Sequence, residues 1–102
     1  MKIIQRLTDM ISEEISDADK YAECALKHKD DNRELAETFY RLSTEEMNHM
    51  GMLHDQAVRI IENYKREHGE PPPEMMAVYN YLHGKQIEHA SAVKAKQMLY
   101  KD

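Results

Sequence analysis

The chain has 102 residues, of which 41% are hydrophobic and 32% charged, and a mean hydropathy of −0.81, values that fit one small domain with a thin core. Fourteen Lys and Arg against 19 Asp and Glu leave a net charge of −5, which disfavours general binding to nucleic acid or to an anionic membrane. The single cysteine, Cys24, excludes an internal disulfide framework and suits a reducing, cytoplasmic compartment, and apolar runs of only a few residues exclude a membrane span.

No stretch shows strand-type alternation, and Lys, Glu, Met, Leu and Ala dominate between the breaks, which favours helix throughout. Three helices are expected, at about 3–29, 32–68 and 74–100, in a single all-α domain. The first break is Lys29-Asp30-Asp31-Asn32, where Asp31 and Glu34 have the spacing of a capping box. So short a connection folds the first two helices into an antiparallel hairpin. At the second break Gly69 can cap helix 2, and Pro71-Pro72-Pro73 forms a stiff lead-in to a C-terminal helix. A chain this short gains by self-association, so a homo-oligomer is expected.

Helix 1 carries an apolar seam at Ile4, Leu7, Ile11, position 14, Ala18, Tyr21 and Ala25, broken only by Glu14. Helix 2 carries another at Leu35, Phe39, Leu42, position 46, position 49, Leu53, Ala57 and Ile60, broken by Glu46 and His49. A carboxylate on a core face is costly unless it is paired or binds a metal. The seam register alone selects Glu14 over Glu13 and Glu46 over Glu45. Hairpin geometry adds an independent constraint: Glu14 and Glu46 both lie about 16 residues from the turn, roughly 24 Å along each helix. The exceptions are therefore level with one another, and His49, three residues after Glu46, shares its face. Glu14, Glu46 and His49 are the candidate metal ligands.

One Glu and one Glu-x-x-His form half of the ligand set that a di-iron carboxylate bundle draws from four helices. Two copies about a two-fold axis complete it, with four carboxylates offsetting two divalent ions. Mixed oxygen and imidazole donors suit iron, two per dimer, with manganese or zinc as substitutes. The segment from about Glu13 to Leu53 resembles the ferritin-like superfamily, most closely the encapsulated ferritins with their half-ferritin subunits. The residues that carry this resemblance are Glu14 with Tyr21 seven positions on, the acidic turn Lys29-Asp30-Asp31, the Arg33-Glu34-Leu35 helix start and Glu45-Glu46-Met47-Asn48-His49.

The resemblance implies a ferritin-like four-helix bundle formed on dimerisation, with iron ligation by Glu14, Glu46 and His49 across the dimer interface and Tyr21 close to the site as a catalytic residue. It further implies a ferroxidase that oxidises Fe(II) with dioxygen, larger rings of dimers, and an encapsulin shell as partner. The chain departs from that pattern at Lys96–Asp102, which continues a helix with no apolar-Gly docking peptide. Two other function classes remain open: a non-enzymatic helical oligomer, and a metal store or sensor without turnover. Among the remaining residues, Met47, Met50 and Met52 with His54 could hold Cu(I), although methionine more often fills irregular cores. Gly51 is either a point of close helix approach or a local bend. His89 is read as a surface or interface residue, and His28, His68 and His83 as helix-end or outer-face residues.

Overall fold

The computed structural model describes all 102 residues as three helices, α1 (Lys2–His28), α2 (Arg33–His68) and α3 (Pro73–Lys101), in an elongated body of 55 × 19 × 18 Å. The fold is all-α, with α1 and α2 packed along their length as a hairpin. No helix is long and apolar enough to cross a membrane. Asn32 caps α2, its side-chain oxygen accepting from the Leu35 N–H at 3.2 Å. The cap falls one residue later than the capping-box reading, because Asp31 instead holds His28 at 3.0 Å. Gly69 ends α2 in a positive-φ conformation (81°) that suits glycine, its N–H bonded to the Lys65 carbonyl at 2.9 Å. Pro73 occupies the first turn of α3, where a missing N–H costs nothing.

The core is a stack of three layers. Ile4, Leu7, Ala57 and Ile61 form one end, with Tyr79 of α3 packed against them. Ile11, Ile15, Ala18 and Val93 fill the middle, and Ala25, Ala36 and Tyr100 close the end nearest the turn. Successive layers run up α1 and α3 together, so α3 lies parallel to α1. Its inward stripe of Gln86, Val93 and Tyr100 repeats every seven residues, the period of a helix seam. Large apolar residues also occupy its outer faces, with Val78, Tyr81 and Met98 all more than half exposed.

Polar contacts fix this register. Gln86 donates to the Thr8 carbonyl and to Ser12 Oγ, both at 2.9 Å. Ser43, fully buried, donates to the Ala18 carbonyl at 2.7 Å and accepts from Gln97 at 2.8 Å, which ties all three helices together. Asp19 accepts from Lys96 at 2.5 Å and pairs with His89 at 3.1 Å. Burial alone would raise the Asp19 carboxyl, but the Lys96 and His89 partners outweigh it and hold the group below its usual range. Thus His89 is an interface residue between α1 and α3.

Two expectations from the sequence need correction. The buried stripe of α2 runs one residue beyond the seam expected between positions 35 and 50. Ala36 and Ser43 are buried and Met47 and Met50 pack against the middle layer, while Leu35, Leu42, Glu46 and His49 lie beside that stripe. On α1, likewise, Ile15 and Ala22 are buried and Glu14 and Tyr21 flank them. Small residues at the line of contact let the two helices approach, and the longer side chains are displaced to its edge. A methyl group added at Gly51 would meet no neighbour within 4 Å, so this glycine marks no close helix approach.

Ser43→Ala removes the one side chain that bridges all three helices. Urea unfolding should show it less stable by about 1–3 kcal/mol, the cost of stranding a buried hydrogen-bond partner. An unchanged unfolding midpoint would contradict the bridging role.

Candidate metal centre

Glu14 projects from the middle of α1 and Glu46 and His49 from the middle of α2. The equal distances from the turn bring them to one level, where one donor atom from each lies within 4.8 Å of the others. His49 Nδ1 stands 3.6 Å from Glu14 Oε2 and 3.9 Å from Glu46 Oε1. These separations are too long for hydrogen bonds. Donors held at ~2.0–2.2 Å from a shared ion lie about 3.0–3.6 Å apart, so small side-chain adjustments close the set around a cation. Glu13 and Glu45 are exposed, and Glu13 instead borders a shallow polar depression with Ser12, Ser16, Asp17 and Lys20.

The electrostatics favour an added positive charge. Glu14 Oε2 is buried and has no hydrogen-bond partner, a costly state for a carboxylate oxygen. The Glu46 carboxyl is pushed up to about 7, first by its close approach to the Glu14 carboxyl, then by burial and by Glu14's charge, against a smaller opposing effect of His49. A proton thus partly relieves the repulsion that a metal ion would remove. An orphaned oxygen, a second carboxylate beside it and an imidazole together fit a divalent metal such as iron, manganese or zinc.

The cluster is open on one side. The Glu14 and Glu46 side chains are 26% and 20% exposed and that of His49 is 53% exposed. On α1, Asp19 and Glu23, which grip Lys96 of α3, lie about 140–180° around the helix from Glu14. Helix α3 therefore covers the opposite flank of the hairpin and leaves the ligand face free. Exposed Ile3, Met10 and Leu35 occupy that same face by helical arithmetic.

Tyr21 stands outside the donor cluster. It stacks on Phe39 with ring centroids 6.2 Å apart, and Phe39 in turn lies 6.3 Å from His28. Since Tyr21 and Phe39 are each seven residues from a ligand, they form an aromatic layer about 10 Å from the cluster toward the turn. Sequence reasoning missed the Ser43, Gln86 and Gln97 contacts that place α3, because polar residues on a seam read as interruptions. It also placed His83 on an outer face, whereas its ring stacks on His54 at 4.8 Å.

In the metal-free protein, the raised Glu46 carboxyl contributes stability that is complete below its ordinary value of 4.5 and is lost as pH rises through about 7. Melting of the apoprotein should accordingly weaken from pH 5 to 7.5, and Glu46→Gln should flatten that dependence. Mn(II) at ~100 times its Kd should raise the wild-type melting temperature at pH 7.5 by on the order of 10 °C. The same manganese response in Glu46→Gln would exclude Glu46 as a ligand.

Comparison with known proteins bears on the whole molecule. No curated protein and no solved structure matches the chain. The family model for rubrerythrin matches residues 6–101, which takes in most of α1 and the whole of α2 and α3. On that near-complete span, the chain belongs to the rubrerythrin family of di-iron oxidoreductases in the ferritin-like superfamily.

Proposed function

We propose that the protein is a ferroxidase built from half-ferritin subunits, in the manner of the encapsulated ferritins that its Glu13–Leu53 segment resembles. Two copies join their ligand faces about a two-fold axis, so that two hairpins make a four-helix bundle and Glu14, Glu46 and His49 of each chain enclose a pair of iron ions. The observation that carries this reading is the position of the cluster. Three convergent donors lie on a half-buried face that α3 leaves uncovered. Only 16 of 102 residues are buried in the single chain, so a second copy would also enlarge a thin core.

Iron bound there supplies one electron per ion, so that two Fe(II) are oxidised as dioxygen takes up two electrons and two protons and leaves as hydrogen peroxide. The protein's part is to hold the donors in place and to manage protons. The two glutamates bring negative charge to a site whose burial favours neutrality, so they bind cations, and Glu46 releases its proton as they do. Glu14, Glu46 and His49 would hold the iron together, the carboxylates supplying charge and His49 a neutral imidazole donor. Tyr21, in the aromatic layer about 10 Å from the cluster, is the proposed electron donor, since that distance is too long for a hydrogen bond to a ligand. Enclosure in an encapsulin shell is not required by this chemistry.

Dioxygen uptake after addition of Fe(II) tests the reading. The combined Glu46→Ala and His49→Ala variant should be slower by roughly tenfold or more, the scale on which metal sites respond to loss of supporting groups. Tyr21→Phe should bind iron at wild-type stoichiometry but turn over more slowly. Full oxygen uptake in the double variant would rule out this centre. Iron bound by the wild type with no oxygen consumed would instead identify a store without turnover.

A further inference from the structure

A second group of donors lies on the other flank of the hairpin, where α3 crosses it. His54 of α2 and His83 of α3 stack with ring centroids 4.8 Å apart and planes within 8°. Tyr79 covers the other side of His83 at 5.9 Å. The two histidines open into a half-open pocket of about 320 Å³ lined also by Met50, by Gln86 and by the aliphatic Ile11, Ile15, Ile87 and Ala90. Met50 and His54 are four residues apart on α2, so their side chains share a face. The surroundings of His83 are apolar burial and the neighbouring His54, both of which hold its imidazole below its usual range. Neither ring is engaged by a protein hydrogen bond, so the nitrogens of both are free to turn toward a shared ligand.

We infer that His54, His83 and Met50 form a second metal site, selective for Cu(I), between α2 and α3. The chemistry of the donors sets the choice of ion. All three ligands are neutral, and no carboxylate or thiolate lines the pocket, so the protein offers a divalent ion no compensating charge. A monovalent soft ion is better matched to two imidazoles and a thioether. Turning the rings from stacking to shared ligation requires rotation about their Cβ–Cγ bonds, a soft torsion for an imidazole. Because Met50 and His54 belong to α2 and His83 to α3, the bound ion also clamps α3 against the hairpin. The two flanks then divide the metals between them, with hard and mixed donors on one face and soft neutral donors on the other.

Anaerobic titration of the apoprotein with Cu(I), in competition with a chromophoric copper chelator, tests the assignment. One Cu(I) per chain is expected, with His54→Gln and His83→Gln each weakening binding by about tenfold or more. Met50→Leu should weaken it less, and the combined Glu46→Ala and His49→Ala variant should bind as the wild type does. Copper lost in that last variant would move binding to the carboxylate centre and overturn the proposal, as would wild-type affinity in both glutamine variants. Should either histidine variant fail to fold, imidazole NMR of the wild type decides the matter, since Cu(I) is diamagnetic. Shifts at His54 and His83 with His49 unmoved support the site, and unmoved His54 and His83 signals refute it.

Discussion

Two carboxylates held side by side repel each other, and the fold accepts that cost at Glu14 and Glu46. An antiparallel hairpin with a four-residue turn places them at one level, and the Ala18, Ala22, Ala36 and Ser43 contact surface brings their helices close. The repulsion shows in the raised Glu46 carboxyl and in the buried Glu14 oxygen without a partner. Both features describe a site whose electrostatics are balanced by a cation. The rest of the structure can be understood as what keeps this pair together while leaving it accessible.

Helix α3 does so by occupying one flank alone. Its inward stripe reads Tyr79, His83, Gln86, Ala90, Val93, Gln97 and Tyr100, mixed polar and apolar in character, and its glutamines reach α1 and α2 through specific hydrogen bonds. At the turn end Tyr100 donates to Glu37 at 2.7 Å and stacks on Tyr40 at 5.0 Å. Hydrogen bonds of this kind specify register more than they add stability. A purely apolar seam on α3 could slide or roll over the ligand face. The polar one anchors it away from Glu14 and leaves that face open.

The hairpin was legible in the sequence because its signals are local: a short acidic turn, scarce glycine, and prolines gathered in one block. The cluster was legible for a different reason. Glu14, Glu46 and His49 interrupt apolar periodicity at matched distances from the turn, and that coincidence survives an error in the seam. Hydrophobicity puts the α2 seam through large residues, whereas the helices meet along Ala36 and Ser43. Side-chain size at the contact line cannot be inferred from hydrophobicity alone. Helix α3 was the least legible element, because apolar residues surround it and its true seam contains Gln86 and Gln97. His83 was misplaced for the same reason.

The central claim is that one chain holds half a centre and that a second copy completes it. Native mass spectrometry of the apoprotein loaded anaerobically with Fe(II) addresses this directly, because assembly mass and bound metal are read from the same ions. The account predicts dimers, or even-numbered assemblies of them, carrying one iron per chain. A monomer that binds its full complement of iron without associating would contradict it.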